Sequence, residues 1–256
     1  MRRHPRIPLH RRAPRLAGAL VCVIAAVAPA VAATTAAAAT RHRKPSRTTH
    51  PRARAASDPL SNRSLSPATL WNCQVNPAGA ACVKPVLDAI NRAHSAEGVP
   101  AMRLPSNFAA LSQPRQLFVI ANLERTDRGL TPAIGVSRGL DQNALAAARA
   151  NQDPIPNPFY GNSYGSNWAG GIGSPLAVDF LWMYDDGPGS FNIDCRSAQA
   201  AGCWGHRDNV LYPYQAPVVM GTAVVGTSMT EVFVGGDGQT RPGQADAPLV
   251  VRAARR

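Results

Sequence analysis

Residues 218–234 read VVMGTAVVGTSMTEVFV: two β-branched and apolar runs, 218–225 and 229–234, parted by Gly226, Thr227 and Ser228. Such runs around a short polar turn predict an antiparallel hairpin. Upstream the period changes. Segments 85–94 and 114–128 carry apolar residues at helical spacing; in the second, Leu117, Ile120, Ala121 and Leu130 recur around a stop at Gly129. A third helix is expected over 141–151, with Asp141 as N-cap or first-turn residue and an alanine-rich body ended by Pro154, Pro156 and Pro158. A fourth is expected over 175–184, closed by the turn Asp185, Asp186, Gly187. Residues 159–173, rich in Gly, Asn and Ser, read as loop, and 249–251 as a last short strand. Helices first and a hairpin last argue for an α+β domain and against alternating βαβ units. One internal echo stands out: NRAHSAEG at 91–98 and NLERTDRG at 122–129, each a helix pattern ending in glycine. Two copies do not make a repeat architecture.

The chain has 256 residues and a formal charge of +12, from 27 Lys plus Arg against 15 Asp plus Glu. The excess lies in the first 57 residues, which hold 12 basic side chains and no acidic one, so the remainder carries 15 of each sign and is formally neutral. A basic nucleic-acid surface on the folded part is therefore not expected, and no nucleic acid is assigned as partner. The basic tail reads as an export signal. Arg2, Arg3, Arg6, Arg11, Arg12 and Arg15 precede an apolar run at 16–32 that ends in Ala30, Val31, Ala32, a small-residue cleavage pattern. We assign 1–39 to the signal and expect a secreted protein; an uncleaved anchor tethering the chain to the membrane is the alternative, since the run approaches spanning length. Residues 40–66 mix Arg, Thr, Ser and Pro with few large apolar side chains and read as a basic disordered linker, either a solvated spacer or a contact to anionic polymer. A disulfide-bearing N-terminal extension is expected over 67–112, and the main domain over 113–252.

With Cys22 inside the signal, Cys73, Cys82, Cys195 and Cys203 remain. An even number in an exported chain points to disulfides, and pairing of sequence neighbours, Cys73 with Cys82 and Cys195 with Cys203, is the favoured of the possible connectivities. Structural zinc is disfavoured because no C-x-x-C occurs.

Gly161, Asn162, Ser163, Tyr164, Gly165 fits the G-x-S-x-G pattern, but a nucleophile elbow needs a buried strand before the serine and a helix after it, and this serine lies between prolines and a glycine-rich stretch. Histidine is more informative by its scarcity. Beyond the linker there are only His94 and His206. His94 is expected on a helix surface, exposed or partly packed. His206 follows Gly205 just after a disulfide, where an imidazole can serve as general base, metal ligand or hydrogen-bonded structural group. The loop 185–194 gathers Asp185, Asp186 and Asp194, oxygen ligands for a hard divalent cation; a solvated turn with local Asx hydrogen bonds is the alternative. Glu124 and Arg125 read as an orienting or salt-bridging pair.

Several of these segments resemble the CAP superfamily (cysteine-rich secretory proteins, antigen 5 and pathogenesis-related 1 proteins) in its bacterial SCP form. Asn122 to Arg125 followed by Gly129 and Leu130 is similar to the family's opening helix, and 165–169 stands where Gly-Glu-Asn-Ile-Ala is usual. Trp182 and Met183, then Gly205, His206, Arg207, Asp208, Asn209, Val210 and Leu211, resemble its tryptophan helix and G-H-R-x-N-I-L motif, and 221–225 with 230–233 its closing hairpin. The resemblance implies a three-layer α/β/α sandwich, bacterial and secreted, whose cleft holds two histidines and two acidic residues. Here His206 carries over. Ser166 replaces the glutamate, no histidine lies between 95 and 205, and Asp179 is the candidate for the remaining carboxylate. It also implies ligand binding, by Asn167, Trp168 and His206, of a lipid or cell-envelope component, without a reaction and without a required cofactor. The alternative is a hydrolase acting on peptide or cell wall through His206 with Asp179 or Asp185.

Overall fold

The structure, a computed structural model, describes residues 61–156, 161 and 163–236. The expected signal at 1–39, most of the linker and the expected strand at 249–251 lie outside the described residues. In chain order the elements are α1 (Pro67–Val75), α2 (Ala80–Glu97), a 3-10 turn (Phe108–Ala110), α3 (Gln113–Asp127), β1 (Ala133–Val136), α4 (Arg138–Ala150), β2 (Ser163–Ala169), α5 (Pro175–Tyr184), α6 (Gly205–Leu211), β3 (Val218–Val225) and β4 (Ser228–Gly235). The domain is α+β. Its four strands run in the order β1-β3-β4-β2, with β1 parallel to β3 and the other pairings antiparallel.

Side chains alternate across a strand, so one sheet serves two sets of helices. Val219, Ala223, Val232 and Val234 meet Leu140, Ala144 and Ala148 of α4. Val218, Met220 and Phe233 belong instead to the larger core with Val119 and Ile120 of α3, Phe180 and Met183 of α5, and Val86 and Ile90 of α2. Residues 67–112 are thus part of the same core as the sheet. Their helices are joined by the Cys73–Cys82 disulfide, and Cys195–Cys203 closes the loop before α6, both as expected.

The helix starts follow cap chemistry. Ser66 accepts from the Thr69 amide with Pro67 at the first helical position, and Ser174 does the same for Ala177 ahead of Pro175. Helix α2 begins at Ala80, five residues before the expected start, and carries Pro85 inside it. The disulfide through Cys82 holds that first turn against α1. The sequence echo is a structural one. Asn91 Oδ1 accepts from the Met102 amide at 2.7 Å, and Asn122 Oδ1 from the Ala133 amide at 2.7 Å. Gly98 and Gly129, at φ +69° and +70°, end the two helices in the left-handed conformation that favours glycine.

The loop expected over 159–173 is corrected by β2, whose residues from Ser163 to Ala169 pair in continuous register with β4 from Gly235 to Met229. Backbone pairing to an apolar neighbour strand overrides the low strand propensity of Gly, Asn and Ser.

Helix α4 is stitched to the sheet by polar groups as well as by packing. Thr230 Oγ1 donates to the Ala144 carbonyl at 2.9 Å, Ser228 Oγ to that of Ala148 at 2.7 Å, and the Thr222 amide to Asp141 Oδ1 at 2.9 Å, which makes Asp141 a first-turn residue. At Gly221 an added Cβ would overlap the backbone of Leu140. Gly221→Ala is therefore expected to lower stability by about 1–3 kcal/mol, read as an earlier urea midpoint with unchanged m-value; an unshifted midpoint would show that α4 does not seat on the strand.

Candidate functional site

Helix α5 is apolar and buried on nearly every side, and it delivers Trp182 to the sheet and Asp186 to the start of a long loop. That loop returns through Cys195–Cys203 to Trp204, which adopts φ 60° and ψ 13° immediately before α6. A bulky residue in the left-handed region is strained and persists only where its surroundings over-determine it. Here the Trp204 amide donates to the Asp186 carbonyl at 3.0 Å, and its indole lies against Gly187. The strained turn aims the first residues of α6 back at Asp186.

His206 is held by that carboxylate on both sides of its own Cα. Its Nδ1 lies 2.6 Å from Asp186 Oδ1, and its backbone amide donates to Oδ2 at 3.0 Å. Asn192 Nδ2 donates to the same Oδ1 at 2.7 Å, which fixes the carboxylate. The imidazole stacks on Trp182 with centroids 6.3 Å apart, and its side chain retains 14% exposure. Among the described residues no group hydrogen-bonds Nε2. Burial works against a charge on His206, but the hydrogen bond and charge of Asp186, with Asp153 and Asp194 behind them, outweigh it and hold the imidazole above its ordinary 6.5. Burial pushes Asp186 upward against the pull of the His206 bonds.

Beneath the ring, Asn167 Nδ2 reaches the His206 carbonyl at 3.2 Å and Glu231 Oε1 at 2.9 Å, and Asn209 Nδ2 donates to Asn167 Oδ1 at 2.9 Å. Burial pushes Glu231 up to about 8 despite the Asn167 bond, so it stands protonated at neutral pH and adds no negative charge under the imidazole.

Asn167 and His206 are therefore brought together, while Trp168 is not with them. Trp168 is the next residue on β2, so its side chain projects to the α4 side of the sheet, where Nε1 donates to Ser228 Oγ at 2.9 Å. Asp179 is also elsewhere. It is buried, one carboxylate oxygen has no hydrogen-bond partner among the described residues, and its ionisable neighbours are Glu124, Glu231 and Arg128. Burial first, then Glu124 and Glu231, push it well above the usual carboxylate range, away from the ionised state that would serve a histidine. Asp185, raised to about 6 by burial and by Asp186, makes no bond to the ring. The orienting carboxylate is Asp186.

The candidate cation loop makes local bonds of its own. Asp186 is committed to His206 and Asn192, while Asn192 Oδ1 takes the Asp194 amide at 2.8 Å in a local Asx turn. Among the described residues no group of three or more His, Cys, Asp or Glu side chains is arranged to hold a metal ion. Ser163 begins β2 opposite Gly235, four residues along the strand from Asn167, or about 13 Å. Among the described residues no strand-turn-helix elbow surrounds it.

Two further expectations change. His94 is fully buried, not on a surface, because α2 packs against α1 and α5 and the ring reaches Glu124 of α3. Glu124 and Arg125 do not pair with each other: Glu124 meets His94, Arg128 and Tyr184, while Arg125 donates to the carbonyls of Thr131, Val210 and Tyr212. A separate groove of about 200 Å³ opens between Pro77, Val83, Leu104, Phe108, Ala109 and Leu176, and shares no residue with the His206 cluster. Sequence reading missed Asp153, Trp182 and Glu231 as neighbours of the ring. Trp182 sat within a recognisable segment; Asp153, just ahead of a run of prolines, gave no signal.

Replacing Asp186 by Asn removes the charge that raises His206 while keeping the side-chain shape. In Asp186→Asn the His206 resonances are expected to titrate at lower pH than in the parent, followed by NMR; an unchanged value would mean that another group sets the imidazole.

No family model matches the chain, and no curated protein matches it. Solved structures do. A cysteine-rich secretory protein from Staphylococcus aureus is 17% identical at a TM-score of 0.34, covering 47% of this chain and 37% of its own. An extracellular SCP-domain protein from Bacillus anthracis is 15% identical at 0.35, covering 53% and 45%. Venom allergen-like protein 4 of Schistosoma mansoni is 17% identical at 0.33, covering 53% and 97%. The chain thus spans under half the length of the two bacterial structures. At these scores the likeness carries no argument.

Proposed function

We propose that the chain is a secreted CAP/SCP-type domain, a three-layer α/β/α sandwich, that binds a lipid or cell-envelope component beside His206 without transforming it. Export is supported by two disulfides, which persist in oxidising compartments. Among the described residues no helix is long and apolar enough to cross a membrane, and the apolar run at 16–32 lies outside them.

The observation that carries the reading is the state of the imidazole. Asp186 and the Asn192 bond fix its orientation and favour a proton on it, while Nε2 is left for a partner from outside. A charged imidazole donates to a carbonyl, carboxylate or phosphate oxygen. No serine, threonine or cysteine hydrogen-bonds it among the described residues, and all four described cysteines are oxidised. A nucleophilic mechanism lacks its first participant. The apolar rim fits a ligand with hydrocarbon or sugar surface: Phe191 and Ile193 of the adjoining loop stand 81% and 61% exposed.

One observation favours the hydrolase as second reading. A carboxylate 2.6 Å from Nδ1 is the arrangement that orients a histidine general base, and water could be its substrate partner. The two readings separate when wild type and His206→Ala are heated with phosphatidylglycerol vesicles and with muropeptides from digested peptidoglycan. A binder at ligand about 100-fold above Kd gains about 5–10 °C in Tm, a gain absent from His206→Ala, and leaves the probes intact. Turnover abolished in His206→Ala would give the site to a hydrolase. A Tm indifferent to every probe, without turnover, would leave only a structural surface module.

A further inference from the structure

The second histidine of the folded part has a different setting. His94, in α2, has 0% exposure; its Nδ1 lies 2.6 Å from the Pro100 carbonyl oxygen and its Nε2 lies 3.0 Å from Glu124 Oε2. A carbonyl oxygen has no hydrogen to give. Nor has the ionised Glu124, which is already accepting from Arg128 and Tyr184. A neutral imidazole owns a single N–H and would turn one nitrogen lone pair against an oxygen lone pair. The imidazolium satisfies both acceptors.

The charges around the ring agree. From α3 it faces Glu124, Asp127 with Oδ2 at 3.9 Å from Nδ1, and Arg128; from α5 it faces Tyr184, whose ring centroid is 6.2 Å away. On its own helix Glu97 takes Arg128 Nη2 at 2.8 Å and Arg207 Nη2 of α6 at 2.9 Å. Glu97, Glu124 and Asp127 therefore stand against Arg128, Arg207 and a protonated His94. Loss of that proton leaves a buried excess of negative charge.

We propose that His94 is a pH-dependent latch: protonated, it fastens α2 and the turn through Pro100 to α3, and on losing its proton it lets α2 loosen from the core. Burial disfavours its charge, but the hydrogen bond and charge of Glu124 and the Pro100 carbonyl more than compensate, so the folded protein holds this proton more tightly than the unfolded chain. A group raised on folding contributes its full stability below its unfolded value, ordinarily 6.5, and loses that contribution as pH rises through the folded value. Loosening α2 also withdraws Glu97 from Arg207, the neighbour of His206 in α6. The latch is thus a regulatory element outside the ligand site, and it does not depend on what that site binds.

The test follows the histidine ring resonances of the full chain by NMR between about pH 5 and pH 10, together with amide exchange in α2 corrected for the intrinsic rate. His94 is expected to titrate above 6.5, the ordinary value, with α2 protection falling through the same pH. In His94→Gln, which carries no titrating group, the step in α2 protection should vanish, while His206→Ala should keep it. Titration of His94 at or below the ordinary value overturns the latch, and so does a protection step that survives in His94→Gln. Should His94→Gln fail to fold, the titration of the parent protein decides alone.

Discussion

The buried carboxylate of Glu124 is the constraint on which the helical layer depends. It lies at the middle of the domain with no access to solvent, and His94, Arg128 and Tyr184 all converge on it. An isolated carboxylate there would cost far more than one hydrogen bond returns, so α2, α3 and α5, which bring the charge and its partners, have to close together. Despite burial, those partners hold Glu124 down at about 2, so it is ionised at neutral pH. The neighbouring Asp179 is pushed the other way, well above its usual range, by burial first and then by Glu124 and Glu231, so that two carboxyl groups in one interior are driven apart in their affinity for a proton.

Arg125 extends the same logic to the sheet. Its guanidinium spends its donors on backbone carbonyls at the end of α3 and around the end of α6, and lies over the rings of Tyr214 and Phe233. Helix α6 spans only Gly205–Leu211 and cannot hold itself in place by length. It is fixed at one end by Asp186 and the strained Trp204, at the other by Arg125, and along its side by Arg207, which donates to the Met183 carbonyl and to Glu97. The position of His206 is therefore set by charged side chains from α2, α3 and the end of α5.

What could be read from the chain follows from how locally each feature is encoded. The hairpin strands are β-branched and separated by a turn, and α3 through α5 have proline or serine starts, so their existence was legible. The asparagine-to-glycine echo was legible as a pattern, and its meaning, an asparagine that grips the backbone eleven residues on, required coordinates. Strand β2 was not legible because its residues prefer loops and only β4 makes them a strand. At the site the sequence put His206 with Asn167, which the fold brings together, and with Asp179 or Asp185, whereas Asp186 makes the bond to the ring. Asp179 and Asp186 are equally close to the tryptophan helix in sequence; one lies within a buried helix and the other past its end, and only the latter can turn back to α6. His94 was misplaced because α2 has partners on faces that a pattern of one amphipathic stripe does not anticipate.

The two histidines illustrate how a shared residue type takes separate roles from its acceptors. Each ring gives Nδ1 to an oxygen at 2.6 Å, Pro100 in one case and Asp186 in the other. They differ at Nε2. In His94 it is closed by Glu124, and the ring is a fixed part of the interior whose proton belongs to the folding equilibrium. In His206 it is free among the described residues and the side chain reaches solvent, so its proton is available to whatever enters from outside. The same physical chemistry that makes the first a matter of stability leaves the second open at Nε2. What separates them is the carboxylate at that nitrogen, supplied to His94 by Glu124 of α3 and to His206 by no described residue.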